Sequence, residues 1–145
     1  MTDKYEGKIF LDHIGVACND LEVASNFWRI LGLAQGDDDE LVASQGVTTR
    51  FFSTSDEHEM GRPAKIELLE PTNDDTPIGK FLAKRGQGIQ QICFRVENIV
   101  GLLAHLQNHG IGLINESPIQ GAHGSLVAFV HPKSTGGVLV ELCQL

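Results

Sequence analysis

Apolar positions in this chain alternate between two spacings, and the alternation runs through the sequence twice. The first pass opens with Asp12-His13-Ile14-Gly15-Val16-Ala17-Cys18, a β-rich apolar run. Asp20 follows, with a side-chain oxygen suited to N-cap a helix. Leu21, Ala24, Phe27, Trp28 and Leu31 then recur at helical spacing, and Gly32 stands at the C′ position, where a left-handed backbone is needed. The second pass opens with Gln90-Gln91-Ile92-Cys93-Phe94-Arg95-Val96, caps with Asn98, repeats Ile99, Leu102, Leu103 and Leu106, and closes at Gly110. His13 and Gln91, Asp20 and Asn98, and Gly32 and Gly110 all keep one 78-residue register. Strand, cap, helix and glycine in a common register indicate a duplicated half.

Each helix is followed by strand-like sequence. The pattern predicts strands over 40–43, 48–53 and 64–69 in the first half, and over 112–115, 126–131 and 138–143 in the second. A short helix lies between the halves, with Thr76 as N-cap, Pro77 at the first helical position and Gly86 at the end. The expected architecture is α+β: two βαβββ modules, about 8–72 and 87–145, joined by a helix over about 76–86 in a single domain. Gly36-Asp37-Asp38-Asp39 and residues 55–62 read as mobile surface loops.

Composition narrows the function. The chain has 145 residues, 41% hydrophobic and 21% charged, which suits a folded globule rather than a disordered segment. Its formal net charge of −8 disfavours nucleic acid as a partner, and an anionic ligand would need a local cation. No run approaches a membrane span, and the charged N-terminus lacks the apolar core of a signal peptide. Cys18, Cys93 and Cys143 each lie in an apolar run and read as buried reduced thiols, so a cytoplasmic protein is expected.

Polar residues that recur inside the apolar strands carry the chemistry. His13 and Gln91 occupy equivalent places in the opening strands. Glu67, in Lys65-Ile66-Glu67-Leu68-Leu69, and Glu141, in Leu139-Val140-Glu141-Leu142-Cys143, stand in the last strand of each half. Burying a carboxylate there is costly without a compensating cation or hydrogen bonds. One imidazole, one amide oxygen and two carboxylates form a mostly hard donor set that suits Co, Mn, Ni, Zn or Mg. His58, His105 and His109 lie on polar faces or loops and read as solvated.

Several stretches are similar to the methylmalonyl-CoA epimerase family of the vicinal-oxygen-chelate superfamily. They are Asp12-His13-Ile14-Gly15-Val16-Ala17, Ile66-Glu67-Leu68-Leu69-Glu70-Pro71-Thr72, Pro77-Ile78-Gly79-Lys80-Phe81-Leu82, Gly121-Ala122-His123-Gly124, and the run from His131-Pro132-Lys133-Ser134 through Gly136-Gly137 to Glu141-Leu142. The resemblance implies a curved, cleft-bearing mixed sheet, a divalent metal held by His13, Glu67, Gln91 and Glu141, an acyl-CoA substrate and a homodimer. Relatives carry Gly-Leu-His-His where this chain has Gly88-Ile89-Gln90-Gln91, so Gln91 stands in for an imidazole.

The implied reaction interconverts the C2 epimers of methylmalonyl-CoA by proton transfer through a metal-stabilised enolate. Inversion needs a base on one face and an acid on the other. Glu141 and Glu67 are the candidates, because Thr48-Thr49 follows Gln45-Gly46-Val47 where some relatives place a Glu. Lys133, Ser134, Gly136 and Gly137 are candidates for contact with CoA, and His123 lies in a loop that could cover the site. Two other readings use the same scaffold: a glyoxalase-like isomerase, and a metal-free small-molecule-binding protein of the resistance type.

Overall fold

The computed structural model describes residues 4–54 and 63–145. The loop 55–62 and His58 lie outside the described residues. The chain divides into two compact units: Asp12–Gln90, and Gln91–Leu145 together with the described residues up to Leu11. Their limits differ by a few residues from the modules read in the sequence, and the connecting helix belongs to the first unit.

The first unit contains β1 (Ile9–Ala17, from Asp12 on), α1 (Leu21–Leu31), β2 (Ala34–Gln35), β3 (Glu40–Val42), β4 (Val47–Ser53), β5 (Lys65–Pro71) and α2 (Pro77–Arg85). Its strand order is β2-β4-β5-β1, with β3 also on β4; β1 runs parallel to β5 and the other pairs are antiparallel. The second unit contains β6 (Gly88–Val96, from Gln91 on), α3 (Ile99–Asn108), β7 (Ile119–Gln120), β8 (Leu126–Val130) and β9 (Val140–Gln144). Its order is β6-β9-β8-β7, with β6 parallel to β9 and the rest antiparallel. Strand, helix and parallel return strand thus recur in the same topology, as the duplication requires.

The capping signals act as read. The Asp20 carboxylate accepts from Val23 N (2.9 Å), Asn98 Oδ1 from Gly101 N (3.0 Å) and Thr76 Oγ1 from Gly79 N (3.1 Å). Gly32 ends α1 at φ 109°. A second latch recurs as well. Leu21 N–H donates to Glu70 Oε2 and Ile99 N–H to Gln144 Oε1, both at 2.8 Å. Each bond ties the first residue of a helix to the end of its parallel strand and satisfies a donor that helix geometry orphans.

Three local expectations need correction. Residues 112–115 form one isolated bridge, Leu113 to Val130, instead of a strand. There the Asn115 side chain accepts Phe129 N–H (2.9 Å), displacing the backbone partner, and β7 forms further on. Phe27 and Leu31 do not join the core of α1: they are 61% and 59% exposed, while Leu21, Ala24 and Trp28 pack with Cys18, Phe52 and Leu68. The acidic turn is also not loose at its end. The Arg50 guanidinium grips both oxygens of Asp39 (2.8 and 2.7 Å) and reaches Glu22 Oε2 (2.8 Å) and buried Ser25 Oγ (3.0 Å).

The core of the second unit joins Val96, Ile99, Leu102, Leu103, Ala128, Val130 and Leu142, with Tyr5 packed against it. Cys18, Cys93 and Cys143 are free and buried, as expected. No helix among the described residues is long and apolar enough to cross a membrane.

Candidate metal and substrate site

Register places the four polar residues in two equivalent pairs. Side chains directly opposite on neighbouring strands share a sheet face, and so do residues two apart on one strand. In the first unit Gly15 is paired with Glu67, and His13 lies two residues before Gly15. In the second, Cys93 is paired with Glu141, and Gln91 lies two residues before Cys93. Each unit therefore sets a nitrogen- or amide-bearing side chain beside a carboxylate at the same step of its parallel ladder. All four residues are buried, with 4–6% of their surface exposed.

In the first pair His13 Nε2 lies 3.3 Å from Glu67 Oε1, and Nδ1 lies 2.8 Å from Asp12 Oδ2. Donation of Nδ1–H to Asp12 fixes the ring and turns the Nε2 lone pair toward the Glu67 oxygen. Two electron-rich atoms at this distance need a proton or a cation between them. Two donors about 3 Å apart also match neighbouring ligands of one ion with bonds near 2.1 Å. A carboxylate behind the imidazole is the usual outer support of a metal-binding histidine. The Phe51 ring meets His13 edge to face, 5.6 Å between centroids, and walls this pair.

The second pair is joined by Gln91 Nε2–H donating to Glu141 Oε1 at 2.8 Å. Its amide presents nitrogen to the carboxylate, whereas ligation would use the amide oxygen. The chemistry of the donor set fits a divalent ion.

Asp12, Lys65 and Glu40, near the first pair, were not singled out in the sequence. Asp12 lies within the quoted motif, but its role shows only through its bond to His13. Lys65 is paired with His13 and shares the face of Glu67, with Nζ 5.5 Å from the centre of the Phe51 ring. Thr49 is buried on β4, and Glu40 is paired with it from β3. The signal for Lys65 was strand alternation carried outward from Glu67, whereas Glu40 comes opposite Thr49 only through the pairing of β3 with β4.

The remaining candidates lie on turns of the second unit. Lys133, Ser134, Gly136, Gly137 and His123 are all exposed. The turn after His131 is largely self-bonded: Lys133 N–H donates to His131 Nδ1 (3.1 Å), Gly137 N–H to Pro132 O (2.9 Å), and Thr135 and Val138 bond each other. Ser134 Oγ accepts Gly112 N–H at 2.8 Å. His123 has a left-handed backbone, φ 55°. His105 and His109 lie on and at the end of α3, with rings 4.4 Å apart.

Burial decides the charge state of Cys18. It pushes the thiol up to about 11, aided by the Glu70 carboxylate, so the group is a neutral thiol at pH 7.

Residues 12–129 match the Glyoxalase/Bleomycin resistance protein/Dioxygenase superfamily. Mitochondrial methylmalonyl-CoA epimerase of Mus musculus is 38% identical over 135 residues, 92% of this chain and 72% of that protein. The ethylmalonyl-CoA/methylmalonyl-CoA epimerase of Cereibacter sphaeroides is 38% identical over 139 residues, 93% of this chain and 97% of the other. The structure of a Streptomyces coelicolor methylmalonyl-CoA epimerase variant in complex with 2-nitronate-propionyl-CoA superposes with a TM-score of 0.87 at 34% identity, covering 93% of each chain. The chain belongs to the methylmalonyl-CoA epimerase family of the Glyoxalase/Bleomycin resistance protein/Dioxygenase superfamily, a family of enzymes.

Proposed function

We propose that this protein interconverts the C2 epimers of methylmalonyl-CoA, with a divalent metal bound by His13, Glu67, Gln91 and Glu141. The observation that carries the reading is the Asp12–His13–Glu67 chain. An imidazole held from behind by one carboxylate presents its other nitrogen 3.3 Å from a second, buried carboxylate. The recurrence of an amide–carboxylate pair at the same ladder step of the second unit supports it.

When bound, the metal supplies Lewis-acid polarisation of the thioester carbonyl and so makes C2–H more acidic. Asp12 keeps Nδ1 of His13 protonated and Nε2 available as a donor. Gln91 contributes its amide oxygen. One of Glu67 and Glu141, as carboxylate, takes the proton from one face of C2, and the other, as carboxylic acid, delivers its own proton to the opposite face. Thr49, which shares the sheet face of Glu67 in the first unit, has no basicity to offer near neutral pH.

The complex of a relative with 2-nitronate-propionyl-CoA supports a CoA thioester as ligand here. We assign Lys133, Ser134, Gly136, Gly137 and His123 to its CoA portion, on exposure and on the charge of Lys133. An apolar stripe on the outer side of α1, Val23, Phe27 and Ile30 at 76%, 61% and 77% exposure, supports a homodimer built on that helix. Three buried free thiols support a reducing, cytoplasmic setting.

The test is epimerisation of methylmalonyl-CoA by the metal-loaded wild type, Glu67→Gln and Glu141→Gln. Loss of turnover in both variants is the expected result. Near-normal turnover by either one removes that carboxylate from the proton-transfer role, and an inactive wild type removes the epimerase reading.

A further inference from the structure

The first unit's site face holds one cation whose place the reaction outlined above does not use. Lys65 stands two residues before Glu67 on β5, directly opposite His13 on β1 and Ser53 on β4, so it shares their face. Its side chain is half-buried, and its ammonium lies over the Phe51 ring, 5.5 Å from the centroid. The same ring meets His13 edge to face. One aromatic side chain thus fixes both the proposed metal-binding imidazole and a positive charge next to it. Among the described residues Lys65 makes no ion pair.

We propose that Lys65 receives an anionic group of the substrate. This role for Lys65 rests on the epimerase function proposed above and on charge. Methylmalonyl-CoA carries a carboxylate on the reacting acyl unit and phosphates on CoA, while the protein has a formal net charge of −8. The face that must accept this anion already contains the Glu67 carboxylate. A lysine next to that carboxylate offsets the repulsion, and its ammonium can add a charge-assisted hydrogen bond to an anionic oxygen. The aromatic ring steadies the ammonium without neutralising it, as a carboxylate partner would. Lysine is suited to this task as a point charge on a flexible stem. The same chemistry is offered by the acyl carboxylate and by a phosphate, and the two are separable by truncating the substrate.

The experiment compares the metal-loaded wild type, K65M and K65R by steady-state epimerisation of methylmalonyl-CoA and of its N-acetylcysteamine thioester, which lacks the phosphates. For K65M with the CoA substrate the expected result is a KM raised about ten- to hundredfold with little change in kcat, the pattern of lost binding to a charged group. K65R restores most of the KM. If the penalty persists with the truncated thioester, the acyl carboxylate is the group received; if it disappears there, a phosphate is. A merely structural lysine lowers the melting temperature of K65M and leaves KM within about twofold of wild type for both substrates, and that result overturns the proposal. A wild type that turns over neither thioester overturns the epimerase reading itself, a failure distinct from an unchanged KM. Should K65M fold poorly, K65Q, which retains a polar tip, gives the same comparison.

Discussion

The repeated latch between helix start and strand end gives a stability prediction with a built-in control. In the first unit the N–H of buried Leu21 donates to a carboxylate, Glu70 Oε2, and in the second the N–H of buried Ile99 donates to a neutral amide oxygen, Gln144 Oε1, at the same 2.8 Å. A hydrogen bond to a charged group contributes about 1.5–3 kcal/mol, and one between neutral groups about 0.5–1.5 kcal/mol. Glu70→Ala is therefore expected to cost about 2 kcal/mol, and Glu70→Gln, which keeps an acceptor, about 1 kcal/mol. Gln144→Ala leaves a buried N–H without a partner, so its cost of about 1–3 kcal/mol comes from desolvation rather than from charge. Urea unfolding followed by circular dichroism measures all three, and at about 2–4 °C per kcal/mol the melting temperatures are to fall in proportion. The signature is the order in the first unit, Ala below Gln below Glu, with a substantial loss for Gln144→Ala. Equal stability of Glu70→Ala and wild type would refute the reasoning, because it would mean that water replaces the carboxylate at the helix start without penalty.

Other perturbations probe other parts of the molecule. Arg50 holds the carboxyl of Asp39 below its ordinary range, and Arg29, with Arg50 second, lowers that of Glu22 to about 2, in each case chiefly by direct hydrogen bonding. Groups with lowered folded-state values contribute stability above the ordinary carboxylate range, about pH 4, and lose it as the pH falls through the folded values. The urea midpoint is thus expected to drop more steeply between about pH 4 and pH 2 in the wild type than in Arg50→Met, and parallel profiles would contradict this. Asp12→Ala, which removes the support behind His13, is expected to weaken binding of Co²⁺ about 10–100-fold by calorimetry, and an unchanged affinity would separate Asp12 from the metal. Ile30→Glu places a charge in the exposed stripe of α1 and is expected to convert a dimer to a monomer by light scattering; a dimer that persists would move the interface off that helix.

Much of the fold was legible because its punctuation is local. Asp20, Asn98, Thr76 and Gly32 act through bonds to residues a few positions away, so sequence spacing is enough to identify them. The register of His13 with Gln91 was legible for the same reason, as both lie in the strand just before a capped helix. What failed depends on neighbours distant in sequence. Phe27 fits the helical period, but the buried position beside it went to Ser25, which bonds Leu21 O and Arg50 from β4. The segment 112–115 has strand composition, yet Asn115 uses its side chain where a ladder would use backbone. Asp39 looked like one of three equivalent acidic residues in a turn, and only the fold supplies the arginine that selects it. At the site, buried glutamates in apolar runs announced themselves through the cost of burial. Asp12 and Lys65 did not, because a carboxylate or an ammonium at a strand edge is ordinary until its neighbours are known.

The central claim is that the paired His13/Glu67 and Gln91/Glu141 side chains support metal-dependent proton transfer at C2 of a malonyl thioester. Its most direct measurement is hydrogen exchange at that carbon. Protein stripped with a chelator and then reconstituted with Co²⁺ is mixed with methylmalonyl-CoA in D₂O, and deuterium at C2 is followed by NMR, with a glutathione hemithioacetal as the competing substrate. The account predicts exchange that is lost on chelation, returns with the metal, and is absent in Glu141→Gln. Isomerisation of the hemithioacetal without exchange in methylmalonyl-CoA would contradict it, and so would exchange at the same rate with and without metal.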